Sequence, residues 1–163
     1  MQTQEAKNKK ITKGGYENMR KKALALLMAG VMLMGCFPAT ANAANTGDTA
    51  WKFSVSTRSQ YTSERAKGNQ SSTYIRLDEG PNGYVRAAVE GKMPVGDAGY
   101  LVWKNMTWNV TSVLVPLGRW RIRQTIFEDG GRSARLRITR YNADGRASGV
   151  WSPDCAGSYT PLN

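Results

Sequence analysis

Residues 119–141 read RWRIRQTIFEDGGRSARLRITRY. In an extended chain Trp120, Ile122 and Ile126 fall on one side, and Arg119, Arg121, Arg123, Thr125 and Phe127 on the other. Beyond the turn, Ala134, Leu136 and Ile138 share one side, and Ser133, Arg135, Arg137, Thr139 and Tyr141 the other. Alternation of this kind marks strands with one buried face. A slip of one residue in register would turn every side chain over, so the two apolar sides coincide only when paired residue numbers have an even sum. The three-residue loop Asp129-Gly130-Gly131 meets that condition, pairing Ile122 with Ile138 and Gln124 with Leu136. It also offers a glycine for the left-handed position beside a bulge. This predicts a hairpin with Arg121, Arg123, Arg135 and Arg137 on one outer face and Arg123 opposite Arg137. Like charges directly opposite destabilise a sheet, so this face is the candidate anion-binding site. The competing reading is that the arginine stems cover apolar surface while Glu90, Glu128 or another carboxylate neutralises their heads.

The same period recurs outward from this stretch. Trp51–Ser56, Ser72–Leu77, Tyr84–Gly91, Tyr100–Val110, Ser112–Leu117 and Ala147–Trp151 read as further strands. Residues 57–69 are polar and broken by Gly68, a loop or a weak edge strand. Asp78–Gly83 has the Gly, Pro and Asn density of a turn, and Pro94–Gly99 reads as a loop. No stretch from Ala44 onward has a 3.6-residue apolar period. Seven or eight short strands predict a small antiparallel β-sandwich over residues 44–163.

The other end of the chain reads as an export signal. Met19-Arg20-Lys21-Lys22 is a positive n-region, Ala23–Phe37 is apolar, Pro38 breaks the helix, and Ala41-Asn42-Ala43 supplies the small-x-small pattern of a peptidase site. The apolar run is shorter than the 18 or so residues that span a bilayer. The expectation is a signal peptide over 19–43, a secreted product without a transmembrane helix, and Met19 as the true start. Residues 1–18 are then a misassigned upstream start, because Lys13-Gly14-Gly15 can be encoded by a purine-rich bacterial ribosome-binding sequence. An alternative is lipid anchoring at Cys36, since Leu33-Met34-Gly35-Cys36 resembles a lipobox.

Charge must be read against that division. The whole chain carries +11, but residues 44–163 hold sixteen Lys/Arg and ten Asp/Glu, a net +6. Much of the basicity therefore belongs to the export signal, and the charge gives no case for a nucleic-acid partner. The exported part has twelve arginines, whose planar fork of donors suits carboxylates and phosphates. An anionic wall polymer, a lipid headgroup or a glycan is the expected partner.

The chain has no histidine, which removes the commonest general base and metal ligand. It contains no Gly-x-Ser-x-Gly, no phosphate-binding Walker loop and no Cys/His metal spacing, so no catalytic residue, metal or cofactor is assigned. A carboxylate pair of glycosidase type remains open, though no spacing nominates one. Cys155 has no intrachain partner after cleavage, and its small, polar neighbours predict an exposed thiol able to form a disulfide dimer. Thirteen aromatics, Trp51, Trp103, Trp108, Trp120 and Trp151 among them, serve a core or stack on sugar rings.

Three stretches carry a resemblance: Asn45–Trp51, Arg65-Ala66-Lys67 with Ser71–Ile75, and Ser148–Asp154. In these the chain resembles small secreted proteins of Gram-positive gut bacteria, mostly of unknown function. Its plan, a signal peptide followed by a small all-β domain, is similar to that of lactococcin-972-type bacteriocins. The resemblance implies no catalytic or binding residue, and the tail Cys155–Asn163 departs from it. The expected function is a secreted, non-enzymatic binding or effector module that meets anionic envelope components through the arginine face. The alternatives are a bacteriocin-like antimicrobial, a carbohydrate-binding module and a carboxylate-based hydrolase.

Overall fold

Trp51, Phe53 and Val55 alternate with Lys52 and Ser54, and they form the inward side of strand β1 (Thr49–Val55). The computed structural model describes residues 43–96 and 99–163. Within them follow β2 (Gln60–Tyr61), β3 (Arg65–Ala66), β4 (Thr73–Glu79), β5 (Tyr84–Val95), β6 (Tyr100–Asn105), β7 (Val113–Pro116), β8 (Gly118–Ile122), β9 (Ser133–Thr139) and β10 (Gly145–Ser152). The helical part of the described residues is one 3-10 turn at Pro81–Gly83, where Asn82 and Gly83 take positive φ. No described helix is long and apolar enough to cross a membrane. The expected start at Met19, the signal-peptide residues up to 42 with Ala41, and Cys36 lie outside the described residues; Ala43 is described and exposed.

The strands form two antiparallel sheets. One runs β1-β10-β4-β8; the other runs β2-β9-β5-β6, with β3 also on β9 and β7 also on β5. The fold is a small antiparallel β-sandwich, as the alternation predicts. Ile75, Leu77, Ile122 and Trp151 of the first sheet and Val85, Val89, Leu136 and Ile138 of the second fill its core, each at most 1% exposed. Burying one such side chain contributes roughly 1.5–3 kcal/mol. The weak segment 57–69 supplies only the two-residue strands β2 and β3, which raises the strand number to ten.

The hairpin of residues 119–141 does not form. β8 pairs with β4 in the four-stranded sheet, whereas β9 pairs with β5, β2 and β3 in the six-stranded one. Ile122 and Ile138 are both fully buried, but they approach the core from opposite layers. The sides were read correctly and the partner was not. Two strands with one apolar side each bury it equally well edge to edge in one layer or face to face across two. Beyond Ile122 the chain leaves its sheet: Gln124 bridges Thr107, the Trp108 amide donates to the Arg123 carbonyl at 3.0 Å, and the Thr125 amide donates to the Met106 carbonyl at 3.3 Å. A turn through residues 126–130 then carries it to the other layer. Smaller corrections follow the same logic. β5 runs through Pro94 to Val95, and the strand from Tyr100 ends at Asn105.

The three stretches that carry the resemblance meet at one buried carboxylate. Asp154 accepts hydrogen bonds from the amides of Asn45 (2.6 Å), Gly68 (2.8 Å) and Asn69 (3.4 Å) and pairs with Lys67. Both side chains of that ion pair are fully buried. Arg65 adds bonds to the Gly47 carbonyl and the Asn45 side chain. Burial alone would raise the Asp154 carboxyl, but the bonds from Lys67, Asn45 and Gly68 outweigh it and hold the group below the usual aspartate range. Burial pushes the Lys67 ammonium down, against the pull of Asp154. Gly149, in the third stretch, sits at a register shift where a Cβ would lie 1.9 Å from the Arg76 carbonyl oxygen, so no other residue fits. These motifs are therefore the knot that ties the N-terminal stretch to β10.

Candidate anion-binding face

In β8 the inward Trp120 and Ile122 force Arg119 and Arg121 outward, and Arg123 continues the row just past the strand end. Two residues along a strand advance about 7 Å, which separates Arg119 from Arg121 along β8. The neighbouring strand β4 sets Tyr74 opposite Arg121 and Arg76 opposite Arg119. A cross-strand pair of like charges thus exists, but between Arg76 and Arg119 and not between Arg123 and Arg137.

The four predicted arginines do not share a face. Arg121 and Arg123 lie with Arg119 on the four-stranded side, whereas Arg135 and Arg137 lie on the six-stranded side. There Glu90, opposite Arg135 on β5 and only 7% exposed, accepts two bonds from Arg135, at 3.0 and 2.7 Å. Arg137 Nε stands 3.6 Å from its other oxygen, and Arg137 also donates to the Thr111 carbonyl at 3.2 Å. The Arg135 guanidinium lies 4.1 Å from the ring centres of both Tyr61 and Trp103. Both arginines are neutralised, and Arg135 is also stacked in place, as the competing reading required.

The four-stranded side differs. Arg76 is paired with Asp78, Nη2 to Oδ2 at 3.1 Å, and the carboxylate raises the Arg76 guanidinium further. Among the described residues Arg119, Arg121 and Arg123 have no carboxylate within 4.0 Å. Arg121 Nε is buried and has no hydrogen-bond partner there. Arg76 and Arg119 line a cleft of about 250 Å³ with Asp48, Tyr74, Ser152 and Tyr159. Burial pushes the Tyr74 phenol up, and the Tyr159 ring lies 4.7 Å from it.

The C-terminal tail borders this face and closes the edge of β8. The Arg121 amide donates to the Thr160 carbonyl at 3.1 Å, the Leu162 amide to the Arg121 carbonyl at 3.0 Å, and the Arg123 amide to the Asn163 side chain at 2.9 Å. An edge covered in this way is not open to strand addition. Cys155, where the tail begins, is half-buried rather than exposed, its thiol donating to the Gly157 carbonyl at 3.3 Å. Arg76, Arg119, Tyr74 and Tyr159 were not singled out from the sequence. The alternation that turns Arg121 outward implicates Arg119 too; the contributions of β4 and the tail have no local signal. Among the described residues no three of Cys, Asp and Glu gather as metal ligands.

Residues 38–155 match the family described as Protein of unknown function (DUF2712). The chain belongs to this family. The DUF2712 match takes in both sheets and the Asp154 knot and stops at Cys155, so the tail beside β8 lies outside it. No curated protein and no solved structure matches the chain.

Proposed function

We propose that this DUF2712 protein is a secreted, non-catalytic binding module. Its outer four-stranded face, through Arg119, Arg121 and Arg123 with Arg76, holds an anionic polymer of the cell envelope. The observation that carries the reading is that Arg119 and Arg121 on one side of β8, and Arg123 just past its end, have no carboxylate partner among the described residues. Arg119 stands opposite Arg76, whose own charge is met by Asp78, so the uncompensated charge of the face is that of Arg119, Arg121 and Arg123. Charges about 7 Å apart suit a chain of phosphates or carboxylates better than a single small ion. The reading of residues 19–43 as an export signal puts such polymers within reach.

The sequence resemblances to secreted proteins of Gram-positive bacteria and to the plan of lactococcin-972-type bacteriocins favour the envelope as the place of action. They also support a rival, an antimicrobial that attacks neighbouring cells through the same face. Killing of indicator bacteria by the purified protein separates the rival from simple binding. The binding reading is tested by co-sedimentation with purified bacterial walls. Wild type should sediment at low salt and be released at high salt, since exposed charges are screened over about 8 Å at physiological ionic strength. Arg119→Gln with Arg121→Gln should stay in the supernatant. Salt-independent sedimentation, equal in both proteins, would overturn the reading.

A further inference from the structure

At the Arg123 end of the row a second cleft opens, of about 350 Å³, lined by Gln70, Ser72, Trp108, Arg123, Thr125 and Glu128 besides the buried Gln124. We infer that this cleft is a sugar-ring subsite, and that the polymer held by the arginine row carries a pyranose beside its charged group. The inference deepens the anion-binding reading and rests on it for the charged half of the ligand.

Trp108 carries the argument. This residue is 41% exposed, whereas Trp51 and Trp151 are 6% and 0% exposed and Trp103 and Trp120 are half-buried. The fold has thus placed four indoles in or against packing and left this one in the open. Its backbone is nevertheless held firmly. The Trp108 amide donates to the Arg123 carbonyl, and its own carbonyl accepts from the Asn163 side chain at 2.9 Å. The preceding turn is pinned as well: Thr107 Oγ1 accepts from the Val89 amide at 2.9 Å, and Asn105 Oδ1 accepts from the Thr107 amide at 3.1 Å. Asn109, immediately after, takes a positive φ of 59°. An exposed ring carried on a backbone held in this way is a platform whose backbone ordering cost was met on folding, which favours binding.

The rim has the complementary chemistry. Among the described residues the side chains of Gln70, Ser72 and Glu128 make no hydrogen bond within the protein, and the Thr125 hydroxyl, which donates to Asp129, can still accept. An amide, two hydroxyls and a carboxylate around an indole offer both donors and acceptors to the hydroxyls of a ring stacked on that indole. Glu128 would repel a bare polyanion, so it favours a hydroxyl-bearing group here over a further phosphate. Arg123, 5.0 Å from the Trp108 ring centre, belongs to both the cleft and the row. It places the charged group next to the sugar. The size of the cleft, at the small end for ligand sites, suits one ring at a time.

Three polymers test this by titration calorimetry: unsubstituted poly(glycerol phosphate), its glycosyl-substituted form, and polygalacturonate. The first carries charge without rings; the other two carry rings beside phosphate and beside carboxylate, which tells the two sources apart. Trp108→Ala should weaken at least one ring-bearing polymer about three- to tenfold, the range of aromatic contacts, and leave the ring-free polymer within twofold. Trp108→Phe should fall between. Because Trp108 is exposed, the variants should melt like wild type, and melting curves check this. Equal weakening of all three polymers, or of none, would overturn the subsite. Binding of every polymer unaffected by Arg119→Gln with Arg121→Gln would instead overturn the anion-binding reading and leave the ring subsite standing if Trp108→Ala still discriminates.

Discussion

The two outer faces of the sandwich carry the same kind of residue and treat it oppositely. On the six-stranded sheet Arg135 and Arg137 close on Glu90, and Arg135 is stacked between Tyr61 and Trp103. On the four-stranded sheet Arg119 and Arg121 face Arg76 and Tyr74. The number of arginines on a strand therefore does not measure its capacity to bind anions. What decides it is the adjacent strand: β5 brings a nearly buried carboxylate to Arg135 and Arg137, whereas the β4 carboxylate of Asp78 is taken by Arg76 and leaves Arg119 and Arg121 unpaired. Neutralised arginines help hold the fold, and unneutralised ones are left for a partner.

The fully buried Lys67–Asp154 pair marks the extreme of neutralisation and should show the largest effect. Removing one partner of a buried pair strands the other charge and costs about 3–5 kcal/mol. Lys67→Met should lose that much in urea unfolding. The pair also sets an acid limit. The folded Asp154 carboxyl titrates below the ordinary aspartate value near 3.9, so its contribution is present above that value and is lost as pH falls through the lower, folded one. In acid titration followed by circular dichroism, Asp154→Asn should be less stable at neutral pH and should lack this part of the acid unfolding. An Asp154→Asn curve parallel to wild type would show that Asp154 does not contribute to it.

Glu90→Gln comes next, and it breaks the comparison most directly. Losing a charged hydrogen-bond acceptor should cost roughly 1.5–3 kcal/mol. It should also free Arg135 and Arg137, so that the six-stranded face gains salt-sensitive sedimentation with bacterial walls. If Glu90→Gln gains no binding, neutralisation is not what separates the faces.

The smallest stability effect sharpens the same point. Arg135→Gln should destabilise the fold by about 1.5–3 kcal/mol and leave wall binding unchanged, since it removes the charged hydrogen bonds to Glu90. Arg119→Gln should do the reverse. Its stability should shift by no more than about 0.5 kcal/mol, even upward as the opposition to Arg76 is relieved, while binding falls. Equal stability losses at both positions would mean that Arg119 is as structural as Arg135.

Alternation is a relation between neighbours in the chain, and it can be read without any partner. It is enough to mark the core sides Val85, Ala87 and Val89 on β5 and Ala134, Leu136 and Ile138 on β9, all at most 0% exposed, and so the all-β class. The turn at Pro81–Gly83 is legible for the same reason, because proline and glycine act on their own dihedrals. Layer and partner are not local properties. The apolar sides of β8 and β9 are satisfied in one sheet or across two, and long-range pairing with β4 and β5 chose the second. The same choice set Glu90 under Arg135, left Arg119 opposite Arg76, and brought the tail beside β8. Which side of a strand is buried follows from a period of two residues; which charges meet depends on residues dozens of positions apart, and packing alone brings those together.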